Sequence, residues 1–369
     1  YIKIVAPISV WCNWIAWGPV LAIGSGLAAG YILSALFAPD AVINSWQITL
    51  VDLSYLKNGL SLRINATFII GSTLMLLVFA IQNGGILRSA RATMIFGLTG
   101  LLPLLMVGLV PLITGDLPLS NITPLTPLAY DSIGNVIEGE WNLDGWELMA
   151  GGLFLAAWST YGFETAVCYT REFKNPKSDT FKAIFFSGLL CIAVFTLVPL
   201  NSAGQVVAPA VYDGMLSAEI YSGMGVANVL AGILGGDSMF ANMFVVMLVL
   251  ALLLSVMTTM AGSSRTLYQG SIDGLLPRYL SKVNEQGAPT AAMWTNLIVN
   301  LLLLSMSDYV FLLAASNVGY IIFNFLNLNA GWIHRLDRPN WERPYRAPTI
   351  LIVIGTILSY VNLVLMGMG

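Results

Sequence analysis

The stretch LFLAAWSTYGFETAVCYT, residues 153–170, departs from the pattern of an ordinary membrane crossing. All but its last residue lie in an apolar run, 147–169, that is long enough to cross a bilayer, yet the stretch places one carboxylate, Glu164, well inside that run. A charge at the bilayer centre costs about 2.5 to 3.5 kcal/mol, so Glu164 must face protein or water. The polar and weakly helix-forming residues 159–162 just before it favour a helix that is interrupted within the membrane.

Two interpretations of this stretch stay open at the level of sequence. Glu164 is either a structural carboxyl that is hydrogen-bonded between helices or a group that handles substrate or protons. Trp158 lies six residues earlier, away from the membrane interface where Trp is usually found. It therefore forms either an aromatic wall for a ligand or ordinary helix packing.

The composition of the whole chain agrees with a membrane protein. Of 369 residues, 57% are hydrophobic and 9% are charged, whereas soluble domains contain about 25% charged residues. The net charge of −3 leaves no basic field for nucleic acid, so nucleic acid is not an expected partner. Three scattered cysteines and one histidine predict no metal site, no disulfide framework and no cofactor. The sequence predicts an all-α polytopic membrane protein in contact with the lipid bilayer.

Nine apolar runs have the length of a membrane crossing. They lie at 11–37, 64–82, 91–114, 147–169, 181–204, 238–262, 289–306, 309–332 and 348–367. The seventh and eighth runs are separated only by a short turn at Ser307 and Asp308. No methionine or signal-peptide pattern precedes the first run, and we therefore expect the chain to be a fragment.

The distribution of basic residues predicts the orientation. Alternate loops contain 14 of the 16 lysines and arginines, and only Lys57 and Arg63 fall on the other side. Short loops rich in Lys and Arg stay in the cytoplasm. This predicts a cytoplasmic Tyr1, an extracytoplasmic loop at 115–147 and a cytoplasmic segment at 265–289.

Three further patterns concern helix faces. Polar residues recur at helical spacing in two runs, which makes one wet or hydrogen-bonded face on each. These faces contain Ser255, Thr258, Thr259, Gly262 and Ser263 in and directly after the sixth run, and Ser316, Tyr320, Asn324 and Asn327 in the eighth. A permeation path and interhelical hydrogen bonding explain them equally well. In the first run, small residues recur every fourth position and predict close helix packing.

Three segments, in order, resemble the amino acid, polyamine and organocation (APC) permease superfamily. WSTYGFETA (158–166) followed by KNPKSDTFKAI (174–184) is similar to the family's broken sixth helix and the Asn-Pro turn after it. RTLYQGSIDGLLPRYLSKVNEQGAP (265–289) resembles the segment after the eighth helix, and RLDRPNWERPYRAP (335–348) resembles the loop after the tenth. Together they cover nearly the whole chain.

The resemblance implies the leucine-transporter-like fold of two inverted five-helix repeats, present here incompletely. In that register the chain is one transmembrane permease domain, 1–369, that starts at the family's third helix. Residues 1–114 match helices three to five, residues 147–332 match the second repeat, and residues 348–367 match helix eleven. Helices one and two, of which the first normally forms half of the substrate pocket, are expected to be missing.

The resemblance also implies substrate-contacting residues. Trp158 matches an aromatic residue that covers the substrate in arginine/agmatine-type antiporters, and Glu164 matches a carboxylate associated with gating or proton sensitivity. The other implied site residues are Ser159, Tyr161, Gly162 and Phe163 in the unwound stretch, Gly24 and Ser25 on the third-helix equivalent, and Thr259 on the eighth. Ser316, from the polar stripe of the eighth run, completes the predicted set.

The predicted function is secondary active transport of an amino acid or related organic amine by alternating access. We expect a multi-pass protein of the cytoplasmic membrane and not an enzyme, because the sequence offers Glu164 no buried His, Lys or Asp partner. The alternative is a membrane-embedded amino-acid sensor with a transporter fold. Proton coupling, sodium coupling, exchange and the oligomeric state stay open.

Overall fold

A computed structural model describes residues 4–38, 40–114, 128–130, 136–159, 162–203 and 238–368. The described chain is mostly α-helical. Its α-helices are α1 Val5–Trp17, α2 Val20–Leu36, α3 Val42–Ser45, α4 Ala66–Asn83, α5 Ile86–Thr114, α6 Leu143–Ser159, α7 Pro176–Ala203, α8 Ser238–Ile272, α9 Thr290–Leu304, α10 Tyr309–Asp337 and α11 Thr349–Met368. Two 3₁₀ helices lie at Phe163–Glu172 and Arg278–Ser281.

Two short antiparallel hairpins accompany the helices. Strand β1, Gln47–Asp52, pairs with β2, Ser61–Asn65, and β3, Leu128–Tyr130, pairs with β4, Val136–Glu138. The apolar runs do not predict either hairpin, because hydropathy identifies crossings and not the strands between them. Asn65 ends β2 and caps α4, since its side chain accepts a hydrogen bond from the backbone N–H of Phe68 at 2.8 Å.

The helices reproduce most of the predicted runs, with corrections at several boundaries. The sixth run extends ten residues beyond its predicted end at 262, since α8 continues to Ile272. Helix α9 has only 15 residues, which corresponds to about 22 Å. Asp308 caps α10 by accepting a hydrogen bond from Phe311 N–H at 3.0 Å, so the predicted turn between the seventh and eighth runs is confirmed.

The first predicted run, 11–37, lies within one candidate membrane span, Val5–Leu36, whose helix is interrupted near its middle. Helix α1 ends at Trp17 and α2 begins at Val20, after the pair Gly18 and Pro19. Pro19 has no backbone N–H and interrupts the helical hydrogen bonding. The side chain of Asn300 accepts a hydrogen bond from Ala22 N–H at 3.2 Å, which satisfies a backbone donor at the start of α2.

Helix α2 lies at the centre of the core. Residues such as Leu21 and Ala22 are fully buried, and the helix packs against α4, α8 and α9. Among the described residues, five spans are long and apolar enough to cross a membrane. The α1–α2 span is the most buried of them, at 61%, and α11 is the least buried, at 6%. Small side chains in α2 permit this close packing, as the Gly-rich pattern predicts.

Contacts between loops define the two ends of the helix bundle. At one end, the β1–β2 hairpin meets the turn before α10, where Lys57 forms an ion pair with Asp308 and Ser307 N–H donates to Ser61 O at 2.9 Å. At the other end, Asn284 donates to the carbonyl oxygen of Asn83 at 2.9 Å. We call this second end the basic end. Among the described loops, this grouping agrees with the two sets that the charge distribution predicts.

Candidate functional site

The interruption of the sixth-helix equivalent lies at Gly162. Helix α6 ends at Ser159, and a 3₁₀ helix begins at Phe163. Gly162 has φ +114° and ψ −19°, a conformation that L side chains rarely adopt. The sequence predicts that the helix is interrupted at residues 159–162. The end of α6 at Ser159 and the start of the 3₁₀ helix at Phe163 agree with that prediction.

An aromatic group lies against this interruption. A Cβ atom added at Gly162 would approach the Trp17 ring to 3.3 Å, so Trp17 contacts the glycine directly. Trp17 in turn meets Tyr320 of α10 edge to face, with ring centroids 5.3 Å apart. The end of α1 and the middle of α10 thus form one wall of the broken segment.

Polar groups of α10 continue this wall. Ser316 is fully buried and donates a hydrogen bond to the carbonyl oxygen of Ala16, and its neighbour Asn317 is fully buried and donates to the carbonyl oxygen of Phe154 in α6. The other polar atom of Asn317, Oδ1, is buried without a hydrogen-bond partner in the described part of the chain. A buried acceptor without a partner is costly and calls for an explanation.

The 3₁₀ helix that follows the interruption packs on α8. A Cβ atom added at Gly262 would lie 3.1 Å from the Thr165 methyl carbon, so the two backbones approach closely. Three residues before Gly262, Thr259 is buried on the same helix. At the end of this contact, Glu172 accepts hydrogen bonds from the Arg265 guanidinium at 2.8 and 2.9 Å, and Arg265 lies 4.7 Å above the Tyr169 ring.

A cavity of about 200 Å³ lies beside this ion pair at the basic end. Its lining residues are Gln82, Glu172, Ala261, Ser264, Arg265, Gln286, Gly287, Ala288, Pro289 and Met293. It contains the fully buried Ser264, whose hydroxyl has no partner among the described residues. The cavity lies beyond Thr259 toward the basic end and is distinct from the wall at Gly162.

A buried network of neutral polar groups joins α1, α8 and α9. Asn296 accepts a hydrogen bond from Trp14 Nε1 at 3.1 Å and donates to Ser263 Oγ at 2.7 Å. Asn300 lies one turn later, donates to the Asn296 carbonyl oxygen at 2.9 Å and accepts from Ala22 N–H. These groups satisfy one another, so this network supports the site and leaves no free group for a ligand.

The predicted site residues fall into three groups. Gly162 lies at the interruption, and Thr259 and Ser316 lie on the two helices that border it. Gly24 and Ser25 are buried in α2, where a Cβ atom added at Gly24 would lie 2.8 Å from Val256 of α8. Trp158, Ser159, Phe163 and Glu164 belong to helices whose course is described, but their side chains, like all of Tyr161, lie outside the described residues.

Sequence reasoning missed Trp17 and Asn317. The pair Gly18 and Pro19 is the local signal that could have identified Trp17. Pro19 interrupts the helix within the crossing, and Trp17 is the last residue before that interruption. No local signal identifies Asn317, whose partner Phe154 is 163 positions away in the chain.

A multi-pass helical membrane protein with a discontinuous helix is the class that these observations define. The family model described as "Amino acid permease" matches residues 1–368, and the chain belongs to that family. This confirms the predicted membership of the APC superfamily.

Individual relatives are more distant. The chain is 24% identical to a branched-chain amino acid permease of Lactococcus lactis subsp. cremoris, over 65% of this chain and 50% of the relative. It is 25% identical to a branched-chain amino acid permease of Bacillus subtilis, over 59% and 46% of the two chains. A polyamine transporter of Oryza sativa subsp. japonica is 25% identical over 89% and 59%. The chain therefore spans about half the length of the curated relatives it matches.

Proposed function

We propose that the protein is a secondary active transporter that moves an amino acid or related organic amine across the cytoplasmic membrane by alternating access. Its family and its apolar helices support this function. We further propose the leucine-transporter-like inverted repeat for its fold, with about nine crossings that correspond to helices three to eleven. In this scheme α6 and the 3₁₀ helix at Phe163–Glu172 are the two halves of the broken sixth helix.

The observation that carries the proposal is the interruption at Gly162 against Trp17, together with the buried Asn317 on α10, the helix whose Tyr320 meets the Trp17 ring. Discontinuous helices in transporters present unpaired backbone groups to substrate at mid-membrane. Trp17 and Tyr320 offer ring faces and edges to an apolar or cationic ligand, and Asn317 Oδ1 offers an acceptor to an ammonium group. The break, the aromatic wall and the acceptor together have the composition of an amine-binding pocket.

The substrate-contacting residues that we propose remain those predicted, with Trp17 and Asn317 added. Trp158 and Phe163 would contribute aromatic surface, while Ser159, Tyr161, Gly162 and Ser316 would contribute polar or backbone groups. Gly24, Ser25 and Thr259 would line the path beside the site, and Glu164 would respond to the charge of the substrate or a proton.

Transport into proteoliposomes tests the proposal. The full-length protein is reconstituted and supplied with radiolabelled L-isoleucine, L-arginine or putrescine, which represent the substrate classes named for its relatives and for the antiporters that it resembles. We expect saturable, competitor-sensitive uptake of at least one probe. Trp158→Ala should weaken affinity for that probe about three- to thirtyfold, the range of a lost ring contact, whereas Trp158→Phe should retain most of it.

The same experiment separates the sensor alternative from transport. A sensor would bind a probe in a scintillation proximity assay but give no uptake or exchange above protein-free vesicles. Saturable binding with no flux under proton, sodium and counter-substrate gradients would contradict the transporter proposal.

A further inference from the structure

The basic end of the bundle brings together two segments that are rich in cations. Residues 174–182 contain three lysines and one aspartate, and residues 335–348 contain four arginines, one aspartate and one glutamate. The Phe181 ring stacks on the Tyr345 ring with centroids 4.2 Å apart. Because Lys182 follows Phe181 and Arg346 follows Tyr345, this stack brings the backbone segments that carry the two cations together at the basic end.

The charges of Lys182 and Arg346 are available to a ligand. Both residues are exposed, and in the described ranges neither makes a hydrogen bond or an ion pair. Two other arginines of the segment 335–348 have a structural role, since Arg335 donates to the Ala347 carbonyl oxygen at 2.6 Å and Arg343 donates to the Trp341 carbonyl oxygen at 2.9 Å. The nearby carboxylate of Asp179 accepts hydrogen bonds from the Asn175 N–H and the Ser178 hydroxyl, both at 3.0 Å.

Apolar side chains continue from this cationic pair along two helices. On α7, the third turn exposes Phe185, at 49% of its surface. On α11, which starts three residues after Arg346, Ile350 and Ile354 are 62% and 44% exposed. Helix α11 is the least buried of the candidate spans found in the described ranges, so lipid chains are the natural solvent for this face.

We propose that the surface formed by the start of α7, the Phe181–Tyr345 stack and the start of α11 binds one anionic phospholipid. The lipid phosphate would accept charge-assisted hydrogen bonds from Lys182 and Arg346, and the acyl chains would lie along Phe185 and Ile354. The Phe181–Tyr345 stack holds the two cations at the level of the headgroups, where aromatic rings are favourable. The inference does not depend on which substrate the protein transports.

Native mass spectrometry of the full-length protein in detergent tests this site. The protein is titrated with phosphatidylglycerol or with phosphatidylcholine of the same chain length. We expect Lys182→Gln with Arg346→Gln to weaken phosphatidylglycerol binding about thirtyfold, or about fivefold per basic residue, and to leave phosphatidylcholine binding unchanged. Lys182→Arg with Arg346→Lys keeps both charges and should retain binding.

The matched control is Arg278→Gln with Lys282→Gln. It removes the same charge from the same end of the bundle, but from the segment that leads into α9. An equal loss in both double variants would show diffuse attraction and overturn the site, as would no loss in the first variant. Glycerophosphoglycerol, which has the headgroup and no acyl chains, should not compete; equal competition would assign the cations to free phosphate and overturn the lipid site.

Discussion

At the scale of single residues, neutral asparagine side chains make the buried hydrogen bonds between helices. Asn296 and Asn300 are fully buried, and their side chains connect α9 to α1, α2 and α8. An amide pays a smaller desolvation cost than a charge and can both donate and accept. The network therefore stabilises one packing arrangement around the Gly18–Pro19 break without placing a net charge in the membrane.

Replacing Asn300 by Ala tests the importance of this link. The substitution leaves Ala22 N–H buried without its acceptor, which costs about 1 to 3 kcal/mol. We expect a lower thermal unfolding temperature in detergent, measured by the fluorescence of a thiol-reactive dye. The control is Asn327→Ala, because Asn327 is exposed and donates only to Phe323 O of its own helix. Equal effects of the two substitutions would contradict the role of Asn300.

Local sequence identifies some of these residues and not others. Glu164 and Trp158 can be identified as candidate site residues because a carboxylate and a tryptophan are both unusual in the middle of an apolar run. Asn317 and Asn300 are equally polar, but their function depends on partners 163 and 278 positions away. Spacing along one helix predicts which face a residue occupies and cannot identify the distant group that it will meet.

At the scale of helices, the glycines of α2 determine how closely its neighbours approach. A Cβ atom added at Gly26 would lie 2.6 Å from the Tyr309 ring of α10, a distance that real Cβ contacts do not reach. The small-residue pattern predicts close packing of this helix, and this contact confirms it. The partner, Tyr309, could not be predicted from the pattern.

Gly26→Ala should therefore destabilise the bundle. Tyr309 is 8% exposed and has little room to move, so overpacking should cost about 1 to 3 kcal/mol. The unfolding temperature and the yield of monodisperse protein after size-exclusion chromatography measure the effect. Gly151→Ala on α6 is the control, because an added Cβ there meets nothing within 4 Å. A Gly26→Ala protein as stable as this control would show that α2 and α10 separate easily.

The interruption between α6 and the following 3₁₀ helix depends on the backbone conformation of Gly162. Gly162→Ala adds a Cβ 3.3 Å from Trp17 and forces alanine into φ +114°, at a cost of about 1 to 3 kcal/mol. If the break forms the binding site, relief of this strain should move the segment, and affinity in the proteoliposome assay should fall at least tenfold.

The matched control for this change is Gly188→Ala on α7, where the added Cβ meets nothing within 4 Å. Comparison at equal protein stability separates the binding effect from unfolding. Wild-type affinity in Gly162→Ala would show that the conformation at this glycine does not shape the site.

At the scale of the whole molecule, charge and contacts divide the loops in the same way. The loops that contain Lys57 and Asp308 meet at one end, and those that contain Asn83 and Asn284 meet at the other. The sequence predicts this division because Lys and Arg are costly to translocate. It does not predict the β1–β2 hairpin, whose strands are held by backbone pairing and by contact with the turn before α10.

Cysteine labelling of intact cells tests the orientation that the basic residues predict. Tyr55 and Val283 are 79% and 52% exposed and lie at opposite ends of the bundle, so each can be replaced by cysteine without disturbing the core. The background is the full-length protein with its native cysteines replaced by serine, among them Cys12, Cys168 and Cys191. Since 14 of the 16 basic residues fall in one set of loops, we expect Tyr55→Cys to react with a membrane-impermeant maleimide from outside. Val283→Cys should react only after the membrane is permeabilised.

Reaction of both cysteines from outside would contradict the predicted alternation of loops between the two sides of the membrane. Reaction of Val283→Cys alone would reverse the predicted orientation, and it would place the proposed phospholipid site in the outer leaflet.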